Sequence, residues 1–199
     1  MTTGRRILLS LLAIGLTGAV IGASTWSAFF STTSSSSNKL TAGTVTIGDN
    51  DLGGALLSLT NAKPGDSSTR CILVTYSGSL NAYVRMYAAV TGSLGDYVDL
   101  TVTRGTDSSP SFSSCAGTFT PDPTDYIGAG AGVVYSGLLS SFPTSATAAN
   151  EPTAASPATW NSSAGAHSYR FTATLRADAP AAAQGASANA TFTWEAKNK

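Results

Sequence analysis

The sequence predicts an all-β fold, a single β-sandwich that follows an N-terminal export signal. Only 11% of the 199 residues are charged, the formal net charge is zero, and charged helix formers are scarce. About eight short segments alternate apolar and polar side chains between turns, which is typical of a sandwich. The length suits one domain with a real core. No basic stripe is present, so we expect no nucleic-acid partner.

Residues 1–27 are predicted to be a signal peptide. Two arginines precede an apolar run over 7–21, which is shorter than the ~20 residues that a membrane-spanning helix needs. Signal peptidases prefer small side chains one and three residues before the cut. Thr25 and Ser27 satisfy this preference if cleavage falls between Ser27 and Ala28. An uncleaved N-terminal anchor is the alternative interpretation.

After the cleavage site, residues 28–38 are predicted to form an extended or flexible arm. The arm begins with Ala28, Phe29 and Phe30 and continues as a run of Ser and Thr. Nothing in this composition would hold the arm in a core. The folded domain is therefore expected to cover residues 39–199.

The first two strands of the domain are predicted at 39–48 and 55–60. Between them, Asp49-Asn50-Asp51 marks a turn. This acidic turn is also a candidate calcium site, but it lacks the ligand spacing and closing Glu of an EF-hand loop, so we favour a plain turn. Residues 63–66 read Lys-Pro-Gly-Asp and predict a type II turn, because Pro presets its first central position and Gly supplies the positive φ of the second.

Three further strands are predicted at 70–76, 82–90 and 97–103, the first two as neighbours on either side of a short loop. In the strand at 82–90, alternation predicts one apolar face made of Ala82, Val84, Met86, Ala88 and Val90. The opposite face carries Tyr83, Arg85 and Tyr87. The strand at 97–103 points Val98, Leu100 and Val102 inward and is followed by a loop over 105–110.

The middle of the domain, residues 104–166, is rich in Pro and Ser and predicts loops around one strand at 132–139. Alternation returns at 167–175, a loop follows at 178–185, and the last strand is predicted at 189–196. That strand points Phe192 and Trp194 inward, because aromatic residues on one strand face are more often core than ligand platform.

Cys71 and Cys115 are the only cysteines. In an exported chain an even number of cysteines favours a disulfide over free thiols or a metal site. A bridge would close a loop of roughly 44 residues and stabilise the fold by about 4 kcal/mol in the chain-entropy model.

The search for catalytic residues finds no complete set, so no enzyme activity, cofactor or metal site is predicted. His167 is the only histidine, and neither a His-Glu-x-x-His helix nor a Gly-x-Ser-x-Gly elbow occurs. We interpret His167 as an exposed imidazole at a strand end. The spaced carboxylates Asp122 with Asp125, and Asp96 with Asp99, are candidates for acid–base chemistry. Their turn-rich surroundings favour turn formation and loop solvation instead.

Four blocks carry a family resemblance: Thr25–Phe29, Leu40–Val45, Leu57–Asp66 and Ala190–Ala196. In this order, and after this type of signal, they resemble the TasA/camelysin family of secreted Gram-positive surface and biofilm-matrix proteins. The resemblance implies a jelly-roll sandwich, processing by a SipW-type signal peptidase, and a place in the extracellular matrix or on the cell surface of a Gram-positive bacterium.

The resemblance also implies a function, which is polymerisation into fibres. Ala28, Phe29 and Phe30 would begin a donor arm that adds a strand to the next copy of the chain in a head-to-tail homopolymer. A minor accessory or anchoring subunit is a further candidate partner. The alternatives are a monomeric adhesin or carbohydrate-binding module that uses Tyr83, Tyr87 or Trp160, and a camelysin-type metalloendopeptidase, which the missing histidine cluster disfavours.

Overall fold

A computed structural model describes residues 30–33, 47–51, 62–112, 114–146, 159–160, 165–183 and 185–198. Within them the chain forms ten strands: β1 (Phe30–Thr33), β2 (Ile47–Asp49), β3 (Ser67–Tyr76), β4 (Ala82–Thr91), β5 (Val98–Asp107), β6 (Phe119–Pro121), β7 (Val133–Leu138), β8 (Thr159–Trp160), β9 (Gly165–Leu175) and β10 (Asn189–Asn198). Three short 3₁₀ helices lie at Ser93–Tyr97, Leu139–Ser141 and Ala181–Ala183. Of the helices described, none is long and apolar enough to span a membrane.

The strands form two antiparallel sheets. One sheet has four strands in the order β1-β10-β4-β8. The other has the order β2-β3-β9-β5-β6, and β7 also pairs with β5. Strands β6 and β7 share β5, since β6 pairs near its end and β7 along its first half. The predicted all-β sandwich is confirmed.

The core lies between the two sheets and is rich in aromatic side chains. Phe171 of β9 packs against Phe192 of β10 with ring centroids 4.7 Å apart. Tyr169 of β9 lies 5.6 Å from Trp194 of β10. Each such pair contributes about 1 kcal/mol beyond the burial of its area. The inward direction predicted for Phe192 and Trp194 is confirmed.

Alternation identified the buried faces of the long strands correctly. On β4, Ala82, Val84, Met86 and Ala88 are buried, while Val90 is half-buried. The same holds for the inward residues of β5 and β9: Val98, Leu100, Val102, Tyr169, Phe171, Ala173 and Leu175. Because successive strand residues point to opposite faces, one apolar row per strand builds the sandwich.

The prediction that the strands at 70–76 and 82–90 are neighbours is wrong. The first belongs to β3 in the six-stranded sheet, and the second belongs to β4 in the four-stranded sheet. Each strand carries an apolar face, and these faces meet across the core instead of lying side by side. The loop over 77–81 therefore crosses between the sheets, where the hydroxyl of Tyr76 donates to the carbonyl oxygen of Leu80.

The predicted loop over 105–110 begins too early. Gly105, Thr106 and Asp107 continue β5, because they pair with the three residues of β6. Sequence reasoning missed β6, since it is short and ends in a proline. The predicted strand at 132–139 is confirmed as β7, and Trp160 lies in the short edge strand β8 inside the segment that was expected to be loop.

The predicted type II turn is present. Gly65 has φ +93°, and the amide of Asp66 donates to the carbonyl oxygen of Lys63 at 2.9 Å. The acidic turn also forms, although it begins one residue later than expected, because Asp49 still belongs to β2. The amide of Asp51 donates to the Asp49 carboxylate at 3.2 Å. The predicted strand at 55–60 and most of that at 39–48 lie outside the described residues.

Candidate functional site

The first candidate site is the N-terminal edge strand β1. It pairs antiparallel with β10 over four residue pairs: Phe30 with Lys197, Ser31 with Ala196, Thr32 with Glu195, and Thr33 with Trp194. Four residues of the predicted arm therefore belong to a sheet of their own chain. Ala28, Phe29 and the predicted cleavage site after Ser27 lie outside the described residues.

Strand β10 provides a longer edge than β1 occupies. On one side, all ten residues of β10 pair with β4, from Asn189 with Thr91 to Asn198 with Ala82. On the other side, β1 pairs only with residues 194–197. Within the described part of the chain, no strand pairs with residues 189–193 on that side. An exposed sheet edge is a template for an added strand.

The outer face of the four-stranded sheet offers a poor platform for sugar rings. Tyr83 and Tyr87 of β4 are half-buried, and burial together with the Glu195 carboxylate raises the pKa of Tyr87. Between them, the guanidinium of Arg85 donates to the carbonyl oxygen of Ala146 at 2.8 Å. Trp160, a third candidate for ring stacking, is only 1% exposed, so its assignment to a sugar surface was wrong.

A polar cluster closes one end of the core. Arg104 of β5 is 2% exposed, and its Nε lies 2.6 Å from Oδ2 of Asp122. The guanidinium also donates to the hydroxyl of Tyr126 at 2.6 Å, and that hydroxyl donates to Oδ2 of Asp122 at 2.7 Å. The guanidinium carbon lies 5.0 Å from the centre of the Tyr126 ring. The three groups thus form a closed hydrogen-bonded triangle.

Electrostatics in this triangle favour the charged carboxylate. Burial alone would raise the pKa of Asp122, but the hydrogen bonds from Tyr126 and Arg104 and the positive charge of Arg104 outweigh it and lower the pKa. Burial and the hydrogen bond to Asp122 raise the pKa of Tyr126 to about 12. Asp122 was interpreted as a solvated loop carboxylate, and this was wrong because it pairs with a buried cation.

The other candidate carboxylates either accept hydrogen bonds within a turn or are exposed. Asp125 accepts hydrogen bonds from the amides of Gly128 and Ala129 at 2.8 and 3.0 Å, which is the turn formation that was predicted. Asp122 and Asp125 therefore serve different partners and do not face each other as an acid–base pair. Asp96 lies in a 3₁₀ helix and Asp99 on β5, and both are exposed.

His167 was predicted to be an exposed imidazole, and this is wrong. It lies on the inward face of β9, where its ring contacts Trp160 with centroids 4.7 Å apart and an interplanar angle of 66°. Its buried Nδ1 has no hydrogen-bond partner among the residues that the structure describes. Burial and the positive charge of Arg104 lower the pKa of His167, against an opposing effect of Asp122. Among the described residues, no hydroxyl is hydrogen-bonded to this nitrogen.

The predicted disulfide between Cys71 and Cys115 is present, with Cα atoms 5.1 Å apart. Cys71 is buried in β3, and Cys115 lies in the excursion between β5 and β6. Phe119 begins β6 directly after this excursion. The guanidinium carbon of Arg170 lies 4.5 Å from the centre of the Phe119 ring. The bridge therefore ties a long loop to the face of the six-stranded sheet.

A search for metal ligands gives no site in the described ranges. No group of three or more His, Cys, Asp or Glu side chains there is placed to hold a metal ion. The acidic turn at 49–51 makes its own hydrogen bonds, since Asn50 Oδ1 also accepts from the amide of Leu73 at 2.9 Å.

Comparison with known proteins supports the family that the sequence blocks indicated. No curated protein matches the chain. Residues 4–91, which include most of the predicted signal segment and strands β1 to β4, match the family described as camelysin metallo-endopeptidase, and this match confirms the camelysin-family resemblance of the chain.

Proposed function

We propose that this protein is a secreted structural subunit that polymerises into cell-surface or biofilm-matrix fibres by donating its N-terminal strand to a neighbouring copy. The observation that carries the proposal is the position of β1. It is a four-residue edge strand that pairs with β10 alone among the described strands, and residues 34–46 separate it from β2.

An edge strand of this kind is suited to exchange between copies. If β1 leaves its own β10 and pairs with β10 of the next copy, the same backbone hydrogen bonds form again. Each such bond contributes only about 1 kcal/mol net, so four residue pairs hold the strand weakly in one molecule. Repeating the exchange in one direction gives a head-to-tail contact that does not close, and therefore a filament.

The composition and the family match favour the same role. Cleavage after Ser27 would remove Arg5 and Arg6, so nine Lys and Arg would remain beside eleven Asp and Glu, and a formal net charge of −2 leaves little repulsion between copies that assemble. The match over residues 4–91 covers both the predicted signal and β1. We include in the proposal secretion from a Gram-positive bacterium, processing by a SipW-type signal peptidase between Ser27 and Ala28, and a minor accessory or anchoring subunit.

The first test compares protein that begins at Ala28 with protein that begins at Lys39. Negative-stain electron microscopy should show filaments only for the longer form. Circular dichroism of both forms checks that the shorter form keeps its sandwich. Filaments of equal length and number from both forms would contradict strand donation.

A second test uses the register of β1 on β10. Thr32 and Glu195 are paired, so the double variant Thr32→Cys/Glu195→Cys should form a disulfide where the strand is docked. Donation predicts a ladder of covalent oligomers on a non-reducing gel of filaments. A bridge only within single chains would contradict the proposal. Thr32→Cys/Thr101→Cys is the matched control, since Thr101 lies in the other sheet and pairs with β7 and β9.

A metalloendopeptidase is the second candidate function, because the matching family carries that description. It predicts that purified protein cleaves casein, that a chelator stops the cleavage, and that added zinc restores it. His167→Ala is the matched variant, because His167 is the only histidine of the chain. Chelator-sensitive cleavage that this variant abolishes would replace the fibre proposal.

A further inference from the structure

His167 and Trp160 form an aromatic contact between the two sheets. His167 belongs to β9 in the six-stranded sheet, and Trp160 belongs to β8 in the four-stranded sheet. Their ring centroids are 4.7 Å apart, and Trp160 is 1% exposed. Within the described part of the chain, neither Nδ1 of His167 nor Nε1 of Trp160 has a hydrogen-bond partner. The contact is therefore held by packing alone.

Strand β8 depends strongly on this contact. It has only two residues, and its pairing with β4 consists of Trp160 with Ala82 and Thr159 with Tyr83. The indole of Trp160 also packs on Gly165, where a Cβ would lie 3.5 Å from the ring. With so short a pairing, the burial of the indole supplies most of what keeps β8 on the sheet, since burial of a large aromatic side chain is strongly favourable.

The charges around His167 do not favour a proton on its ring. Arg104 acts on it from β5, and Asp122, which accepts a hydrogen bond from Tyr126, acts on it from the segment after β6. Asp122 is the only carboxylate that acts on His167 among the described residues, and it is already bonded to Arg104 and Tyr126. Strand β3 places no charged side chain beside His167. Its residue paired with His167 is Val74, and the hydroxyl of Tyr76 on the same strand donates to a backbone carbonyl. Strand β8 contributes the uncharged indole of Trp160.

We propose that His167 is an acid-sensitive latch for the edge strand β8, so that a proton on its imidazole releases Trp160 and uncovers the edge of β4. An imidazolium ion that is buried against an indole and near a guanidinium has no anion of its own among the described residues and needs water. Movement of β8 admits that water while the sheets stay packed. The uncovered edge of β4 then offers unpaired backbone groups to an extended strand of another chain.

The pH dependence of the latch follows from the linkage between proton binding at His167 and the docking of β8. With β8 released, His167 is solvated and binds a proton with an ordinary histidine pKa, whereas with β8 docked its pKa is lower. Each unit of difference between these two pKa values increases the released population about tenfold as the pH falls. Above the ordinary pKa neither state binds a proton at His167, and β8 stays docked.

The test is hydrogen exchange of the untagged full-length chain at pH 7.5 and pH 5, expressed as protection factors to remove the intrinsic pH dependence. The latch predicts that the peptide containing residues 159–160 loses protection at pH 5 relative to pH 7.5. Peptides from β5 and β9 should keep theirs. His167→Gln, which cannot titrate, should show equal protection of 159–160 at both pH values.

A second measurement needs no variant. Because His167 is the only histidine, the Hε1 proton of its imidazole gives one nuclear magnetic resonance signal that can be followed from pH 8 to pH 4. The signal should titrate below the ordinary range, at the same pH at which the 159–160 peptide loses protection. His167→Phe, which keeps a ring in place, replaces the glutamine variant if that one does not fold. Unchanged protection of 159–160 across this range, or loss of protection throughout the domain at once, would overturn the latch.

Discussion

The guanidinium of Arg104 donates to the carboxylate of Asp122 at 2.6 Å in a place where Arg104 is almost completely buried. An arginine cannot escape the cost of burial by losing its proton. Asp122 and the hydroxyl of Tyr126 accept hydrogen bonds from it and help to accommodate its charge. This pair therefore fixes where the segment after β6 returns to the core.

Asp122→Asn should destabilise the domain strongly. The change removes the negative charge but leaves the arginine buried, and breaking a buried ion pair on one side costs about 3–5 kcal/mol. Urea unfolding followed by circular dichroism measures this loss. A free energy of unfolding within about 0.5 kcal/mol of wild type would show that Arg104 finds another partner.

Asp178→Asn is the matched control for this experiment. Asp178 also pairs with an arginine, Arg176, at 2.8 Å, but both side chains are exposed. Water screens such a pair and replaces it easily when it is lost. We expect no measurable change in the free energy of unfolding, so a clear loss in this variant would mean that burial is not what distinguishes the two pairs.

Much of the fold could be predicted because the long strands alternate strictly. On β4 and β9, one apolar row per strand leaves a single way to face the core, and the predicted rows are the buried ones. The pairing of the strands with one another was harder to predict from the sequence. The apolar rows of β3 and β4 would be buried whether the two strands lay side by side in one sheet or faced each other across the core. Alternation therefore cannot distinguish neighbouring strands from facing strands.

The polar end of the core was missed for a different reason. Arg104 and Asp122 are 18 positions apart, and Asp122 stands in a proline-rich segment that looks solvated. The short pairing of β5 with β6, and a hydrogen bond from the amide of Asp122 to the carbonyl oxygen of Arg104, bring the two together. His167 was misread in the same way. It occupies an inward position of β9, and the row that begins with Tyr169 extends back to it.

Removing the bridge with Cys71→Ser and Cys115→Ser together should lower the free energy of unfolding by about 4 kcal/mol. The bridge spans 44 residues, and without it the unfolded chain gains the freedom of that loop. Thermal unfolding of the oxidised wild type, the reduced wild type and the double variant checks the prediction. The last two should agree, and equal melting temperatures for all three would contradict it.

Gly105→Ala should be destabilising although the position lies in a strand. An added Cβ there would run into the carbonyl oxygen of Thr120 on β6 and lie 2.9 Å from Cα of Pro121. Backbone cannot move aside as a flexible side chain does, so we expect a loss of about 1–3 kcal/mol. Gly48→Ala in β2 is the control, because a Cβ there meets nothing within 4 Å. Equal stability of both variants in urea would show that β6 yields without cost.

The pH dependence of overall stability should also identify His167. In the unfolded chain its pKa is close to the ordinary 6.5, and in the folded protein burial and Arg104 lower it. Below pH 6.5 the unfolded state therefore binds more protons, so the free energy of unfolding decreases as the pH falls, until the pH passes the lower pKa of the folded state. Above pH 6.5 this contribution is constant.

Urea unfolding of wild type and His167→Gln at half-unit steps from pH 8 to pH 4.5 measures this effect. The difference in free energy between the two proteins should be constant above pH 6.5 and should shift against wild type below it. Asp122 keeps its charge until lower pH, because its pKa is lowered from 3.8, so its contribution is lost only as the pH falls further. A difference that stays constant over the whole range would mean that His167 takes up its proton as easily in the folded protein as in the unfolded chain.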